Sequence, residues 1–293
     1  MVLCAGYGTR LRPLTDELPK ALLPFGDRSL LEHAVLAVTR AGLGTPIVNS
    51  HHLHDVFVRE IQDLGLPIEV VYEPEIRGTA GGVFGVRSRF GPAPIVVLNG
   101  DAVFDQVPND FADLARDMCL VLAVLPRARE EGTVGIGDSG QVVRLRGETF
   151  GKEVSGGDYI GLCAIGERGL DALPEFGCLV QDFALPLLRR GEWIGTYALH
   201  SEVWLPGDDL TGYLRDNLQW LSRRAGGGSI IGASAFVAPE IELVQSVIAP
   251  RAEIVGVGSI ARSVVCSGAR IEAPLADAIV TPSGRVILPG ARG

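Results

Sequence analysis

Short apolar runs alternate with longer amphipathic ones over the first three quarters of the chain. Residues 2–5, 46–49, 68–72, 95–98 and 120–125 are largely apolar runs of strand length, broken only by Asn49 and Glu69. Residues 95–98 (Ile-Val-Val-Leu) are apolar throughout, as in a strand buried on both faces of a parallel sheet. Between the first two runs, residues 30–41 place Leu30, Leu31, Ala34, Val35 and Val38 on one helical face, with Gly42 as a stop signal. Val56, Ile61 and Leu64 set a second helical period, and residues 111–119, 182–190 and 213–224 read as further helices. Residues 134–137 and 142–145, joined by Asp138-Ser139-Gly140, predict a hairpin, and residues 159–165 another strand. Strand–helix–strand alternation of this kind predicts an α/β fold with a doubly wound, mostly parallel sheet.

The pattern changes after residues 226–229, a Gly-Gly-Gly-Ser stretch that reads as a linker. The remainder is built of short apolar pairs and small residues. The triplets Ser246-Val247-Ile248, Ser263-Val264-Val265 and Ala278-Ile279-Val280 recur at spacings of 17 and 15 residues. Ile248, Ile254, Ile260 and Cys266 step by six. Hexapeptide periodicity predicts a parallel β-helix with one apolar residue per hexapeptide turned inward. The expected division is therefore residues 1–225 and 229–293.

Composition narrows the function. The 293 residues carry a formal charge of −9, which argues against a general nucleic-acid binder. Any anion site must be a local basic cluster in an acidic protein. The five cysteines (Cys4, Cys119, Cys163, Cys178 and Cys266) are scattered, with no Cys-x-x-Cys pair, so neither a zinc site nor a disulfide framework is expected. No apolar run reaches membrane-spanning length and no secretory signal is present, so a cytoplasmic protein without membrane partners is expected.

The candidate chemistry begins at the end of the first strand. Leu3-Cys4-Ala5-Gly6-Tyr7-Gly8-Thr9-Arg10 opens into a small-residue loop followed by basic groups, with Lys20 further on. Small residues let backbone N–H groups approach an anion, and the arginine fork suits phosphate oxygens. Gly6-x-Gly8 alone fits a plain glycine turn equally well. It is neither a Rossmann fingerprint, since Leu11 stands at the third glycine, nor a P-loop. A second small-residue stretch, Gly78-Thr79-Ala80-Gly81-Gly82, follows the third strand and reads as a loop ahead of an apolar helix. Asp101 ends the central strand, where a carboxylate can hold Mg²⁺ against phosphate oxygens. His51, His52, His54 and Asp55 lack a His-Glu-x-x-His arrangement and read as scaffold at a helix start.

The string Gly-x-Gly-Thr-Arg-Leu-x-Pro-Leu-Thr, then Pro-Lys-Ala-Leu-Leu-Pro, closely resembles the sugar-1-phosphate nucleotidylyltransferases. Gly-Thr-Ala-Gly at 78–81 is similar to the form found in mannose-1-phosphate guanylyltransferases and their heptose relatives. The resemblance implies a nucleotide-diphospho-sugar transferase fold and transfer of a nucleotidyl group from an NTP to a sugar-1-phosphate. GTP and mannose-1-phosphate are the first expectation, with Mg²⁺ as cofactor. It assigns triphosphate contacts and catalysis to Arg10, Lys20 and Asp101, and nucleotide contacts to Leu3, Cys4, Ala5, Gly6, Gly8, Thr9, Glu73, Gly78, Thr79, Ala80 and Gly81. Asn99, Gly100 and Gly161 fall to the sugar, with Glu148, Lys152 and Glu153 as looser candidates. In the family a second metal-binding aspartate follows a tryptophan by two positions. Here Trp204 is followed at that spacing by Pro206, which has no side-chain oxygen, and Asp208 or Asp209 would have to substitute. A catalytically impaired nucleotide-sugar-binding homologue is the alternative reading. The tail resembles the left-handed β-helix appended to guanylyl- and adenylyltransferases. It has no histidine after His200 for acetyl transfer, so homo-oligomer formation or regulation is expected of it. The first strand begins almost at Met1, which makes a start further upstream an expectation.

Overall fold

The computed structural model describes residues 1–91 and 94–290, so the end of the expected second domain, 291–293, lies outside the described residues. The chain divides into two compact units. One comprises Met1–Gly6, Ala34–His51 and Pro67–Trp204; the other comprises Tyr7–His33, His52–Leu66 and Leu205–Gly293.

The first unit is built on a ten-stranded sheet. Val2–Leu3 lies between Ile47–Ser50 and Ile95–Asn99 and is parallel to both; Glu69–Tyr72 pairs in parallel with Ile47–Ser50. These strands end at the same edge, so Leu3, Asn49, Tyr72 and Asn99 stand together at their carboxyl ends. That is where loops of parallel sheets collect ligands. Val2, Val48, Val97 and Leu98 are buried, as their apolar runs require. The rest of the sheet departs from the mostly parallel expectation. The long strand Ser155–Ile165 runs antiparallel to Ile95–Asn99, to Leu120–Arg127 and to Val134–Ile136. Val134–Ile136, Val142–Leu145 and Glu148–Thr149 continue as an antiparallel ribbon, while Ile194–Ala198 is parallel to Leu120–Arg127. The sheet is mixed. The apolar run at 159–165 marks a buried strand but carries no sign of direction.

Three helical expectations change. Residues 111–119 form only a 3₁₀ turn, Ala112–Ala115, held by i→i−3 bonds such as Arg116 N–H to Asp113 O. Phe111 and Ala115 are buried, yet the strand at Leu120 begins too soon for a longer helix. The helix expected at 182–190 starts earlier, as a π-helical stretch Leu179–Ala184, and continues as Leu185–Arg189. Pro186 has no N–H to give to a continuous α-ladder, and the wide turn precedes it. The stretch 78–82 is no loop, for the helix Gly78–Val86 begins at Gly78 itself.

The second unit joins the hairpin Pro24–Phe25 and Arg28–Ser29, the helices His54–Leu64 and Leu210–Arg224, and the C-terminal strands. Those strands stack in parallel except the last, Val286–Ile287, which folds back antiparallel on Ile279–Val280. Ile230–Ile231, Val247–Ile248, Val264–Val265 and Ile279–Val280 form one ladder, Phe236–Val237 and Glu253–Ala261 another with Arg270–Ala276. Partners lie one coil apart in sequence, as in Val247↔Val264 and Glu253↔Arg270. Ile248, Ile254, Ile260 and Cys266 are each fully buried. The serines that open the repeated triplets have a reason in this stack. Ser263 N–H donates to Ser246 Oγ at 3.1 Å and Ala278 N–H to Ser263 Oγ at 3.2 Å, so a buried hydroxyl joins each coil to the next. The unit is also tied to the hairpin: Tyr213 O–H donates to Pro24 O and Gly26 N–H to Asn217 Oδ1 at 3.0 Å. Among the described residues no helix is long and apolar enough to cross a membrane.

Candidate functional site

At the carboxyl edge of the sheet a relay of hydrogen bonds ends on a buried carboxylate. Cys4 N–H donates to Asn49 Oδ1 at 2.7 Å, which sets the amide so that Asn49 Nδ2 donates to Glu73 Oε1 at 2.7 Å. Glu73 is 6 % exposed, and its Oε2 has no hydrogen-bond partner among the described residues. His51 Nδ1 donates to Glu73 O at 2.7 Å and its ring stacks on Tyr72. Gly82 must be glycine here, because a Cβ would lie 2.8 Å from Asn49 Nδ2 and 2.9 Å from Glu73 Oε1. A buried polar atom without a partner costs about 1–3 kcal/mol, so it marks a place prepared for a donor. Asn49 and His51 were not among the expected site residues. The one sign in the sequence was an asparagine and a histidine closing an otherwise apolar strand.

The expected sugar residues gather at the same edge. Gly100 N–H donates to Leu3 O at 2.9 Å, and a Cβ on Gly100 would run into Cys4 Sγ. Burial, and secondarily the charge of Asp101, pushes the Cys4 thiol up, so it is no thiolate nucleophile. Gly161 has φ +76°, and a Cβ there would stand 2.5 Å from Asn99 Nδ2. Leu3, Cys4, Glu73, Asn99, Gly100, Asp101 and Gly161 therefore share one end of one sheet. Glu148 and Glu153 are engaged elsewhere. Arg189 pairs with Glu148, and Arg144 grips Glu153 with two bonds of 2.8 and 3.1 Å, holding its carboxyl below the usual range.

Gly78, Thr79, Ala80 and Gly81 form the first turn of their helix, against a segment that sequence reasoning missed. Gly177 N–H donates to Arg77 O at 2.8 Å and Ala80 N–H to Gly177 O at 2.9 Å. Leu179 N–H donates to Thr79 Oγ1 at 2.7 Å. Cβ atoms on Gly78 and Gly81 would come within 2.5 Å of Gly177 O and Glu175 O. The small residues let two backbones pass closely.

The basic part of the signature belongs to the second unit. Gly8 takes φ +61°, and its carbonyl accepts from Leu11 N–H at 2.9 Å and from Thr15 Oγ1 at 2.8 Å, which closes the turn bearing Thr9 and Arg10. His52, whose ring nitrogen lies 2.7 Å from Thr15 O, is scaffold for this turn rather than a metal ligand. Arg10 is 73 % exposed and pairs with Asp208; Lys20 Nζ lies 3.2 Å from the other oxygen of that carboxylate. Two cations thus converge on a single anion, the arrangement a phosphate oxygen pair would satisfy. Asp209 does something different. Its Oδ1 accepts from Gly212 N–H at 2.7 Å and caps the helix Leu210–Arg224. Asp209→Ala is expected to cost about 1 kcal/mol of stability, the usual worth of such a cap. A urea midpoint equal to wild type would rule that role out. Among the described residues no group of three His, Cys, Asp or Glu side chains could hold a metal by itself.

The nucleotidyl transferase family profile matches residues 1–146, which hold the signature loop and the strands on either side of it. The chain belongs to the nucleotidyl transferase family. Its curated relatives in this family act on sugar phosphates by name. The mannose-1-phosphate guanylyltransferase catalytic subunit beta of Danio rerio is 33% identical over 50% of this chain and 43% of its own length. The Mycobacterium tuberculosis mannose-1-phosphate guanylyltransferase is 32% identical over 60% of this chain and 50% of its own. An N-acetylmuramate alpha-1-phosphate uridylyltransferase of Caulobacter vibrioides is 31% identical over 48% and 62%. The chain thus spans less than two thirds of the length of each of these three relatives. HddC from Yersinia pseudotuberculosis, complexed with GMP-PN, superposes with a TM-score of 0.61 over 75% of this chain and 97% of its own at 16% identity. A putative glucose-1-phosphate thymidylyltransferase from Bacillus anthracis gives 0.59 at 18% identity over 74% and 93%. At those identities the structures speak for the fold alone.

Proposed function

We propose that this family member transfers a guanylyl group from GTP to a sugar-1-phosphate, mannose-1-phosphate first, and releases pyrophosphate. The observation that carries the choice of base is Glu73. Asn49 occupies one carboxylate oxygen and leaves the other buried and unpartnered. A carboxylate is an acceptor on both oxygens. The guanine Watson–Crick edge offers adjacent N1–H and N2–H donors to it. Uracil and thymine offer one N–H flanked by carbonyl oxygens, which a carboxylate repels. Glu73→Gln is expected to lower kcat/KM for GTP about 10- to 100-fold, in line with about 1–3 kcal/mol for a charged hydrogen bond, and to narrow the gap to UTP. Pyrophosphate release measured over four NTPs decides it: an unchanged preference for GTP, or none in the wild type, overturns the base assignment.

The sugar phosphate oxygen attacks the α-phosphorus of GTP as pyrophosphate leaves. That nucleophile is already ionised, so alignment and charge neutralisation carry the catalysis. Arg10 and Lys20 hold the triphosphate after trading Asp208 for phosphate oxygens. Leu3, Cys4 and Ala5 line the base, with Gly6, Gly8 and Thr9 beside the phosphates, and Asn99, Gly100 and Gly161 flank the sugar. Mg²⁺ suits one protein carboxylate plus substrate phosphates, so Asp101 would hold it, where it would offset charge on the phosphates. Asp208 is the remaining candidate for the family's second metal aspartate, since Asp209 is spent as a cap. We read residues 229–293 as a left-handed hexapeptide β-helix domain that joins copies of the chain and residues 1–225 as a transferase domain, in a cytoplasmic protein.

Pro206 favours a second reading, a homologue that binds a nucleotide sugar and controls a partner. That reading expects undetectable wild-type turnover, with activity gained in Pro206→Asp. Robust Mg²⁺-dependent turnover in the wild type, lost in Asp208→Ala, removes it.

A further inference from the structure

We propose that the hairpin turn closing the tail, between Ile279–Val280 and Val286–Ile287, is a latch on the phosphate loop, with Glu17 as the residue it holds. Glu17 lies inside the signature, between Arg10 and Lys20. Its carboxylate takes three hydrogen bonds from a single turn more than 260 residues away. Thr281 Oγ1 and Ser283 Oγ donate to Oε1, each at 2.9 Å, and Ser283 N–H donates to Oε2 at 2.9 Å. The turn is built to present those donors. Gly284 N–H closes it onto Thr281 O at 2.9 Å, Pro282 fixes one φ inside it, and Thr281 is fully buried. Hydrogen bonds to an ionised acceptor are about twice as strong as neutral ones, and three on one carboxylate leave it little freedom.

The loop's other anchors are the buried Leu11, Leu14, Thr15 and Leu18 and the His52 bond to Thr15 O, all on its inner side. Arg10, Arg12 and Asp16 point to solvent. The chain from Gly8 to Lys20 advances by isolated 3₁₀ turns at Thr9–Leu11, Leu14–Asp16 and Lys20–Leu22. Such turns have weak hydrogen-bond geometry and hold their shape through contacts. A second clamp of the same kind, Arg251 on Glu60 with bonds of 2.7 and 2.9 Å, seats an earlier coil on the helix His54–Leu64. Of these two clamps, the one at Glu17 lies within the phosphate loop. Glu17 is a positioning residue: it sets the loop that carries Arg10 and Lys20, and whatever binds or displaces the hairpin turn alters phosphate affinity.

The latch rests on the triphosphate reading only for its consequence, so the test has two arms in the full chain. The first is hydrogen–deuterium exchange. In Thr281→Val/Ser283→Ala, amide protection across residues 8–20 is expected to fall at least about tenfold while residues 95–99 keep theirs. Thr281→Ser, which retains the hydroxyl, is expected to keep protection. The second arm is binding of inorganic tripolyphosphate by calorimetry, expected to weaken about 5- to 20-fold in the double variant. Glu17→Gln and the double variant are expected to be non-additive when combined. Unchanged protection of residues 8–20 overturns the latch whatever the ligand result. Lost protection with wild-type tripolyphosphate affinity overturns the link to phosphate binding. A wild-type protein that ignores tripolyphosphate refutes the triphosphate reading instead, and exchange still judges the latch.

Discussion

Arg10→Ala is expected to lower kcat/KM for the nucleotide about 10²- to 10³-fold, the range for removing one preorganised donor from a developing charge. The unfolding midpoint should stay near wild type. Arg10 is mostly exposed, and its ion pair with Asp208, itself 53 % exposed, is of the kind worth about 0–1 kcal/mol. Stability and function are therefore separable at this residue. Lys20→Ala is expected to reduce activity similarly with a larger effect on folding, because Lys20 is only 17 % exposed. Asp208→Asn should act in the opposite direction when metal is absent. With the carboxylate neutralised, tripolyphosphate no longer competes with an internal anion and binds more tightly. Wild-type kcat/KM in Arg10→Ala would remove the phosphate-loop assignment altogether.

The largest stability effect is expected at Gly78→Ala. The residue sits at φ +76°, where a side chain costs about 1–3 kcal/mol in backbone strain. Its new Cβ would also stand 2.5 Å from Gly177 O, and overpacking of that sort costs about 1–3 kcal/mol more. The sum is roughly 2–6 kcal/mol, a large share of an ordinary domain's stability. Gly42→Ala is the control. It shares the conformation, at φ +66°, but has nothing within 4 Å of the added atom. Its cost should be the strain alone. Urea denaturation of both variants separates the two contributions, and equal midpoints would mean that the segment at Gly177 yields without cost. A destabilised Gly78→Ala protein should also bind GTP poorly, because Gly82, four residues on in the same helix, packs on Asn49 and Glu73.

Much was legible in the order of residues. The apolar runs around Val2, Val48, Val97 and Leu122 identify sheet strands, because burial on both faces demands continuous apolar sequence whatever the neighbours are. The six-residue step from Ile248 to Cys266 marks the inward positions of the tail for a similar reason, since a repeated coil repeats its core contact. The signature from Gly6 to Lys20 named the basic groups, because φ above zero at Gly8 and a charge-bearing turn need particular residues at fixed spacing. Local chemistry of this kind is written in neighbours along the chain. What tertiary structure alone decided involves partners far apart. The direction of Ser155–Ile165 depends on which strands flank it. The helical start at Gly78 depends on Gly177 passing beside it, about a hundred residues later, and the glycines that look like a flexible loop are there for that passage. Asp208 and Asp209 are adjacent and chemically alike, yet one meets Arg10 and Lys20 while the other caps a helix. Glu73 gains its unpartnered oxygen only because Asn49 takes the other one. Glu17 looks like any surface glutamate until the turn at Thr281 closes on it.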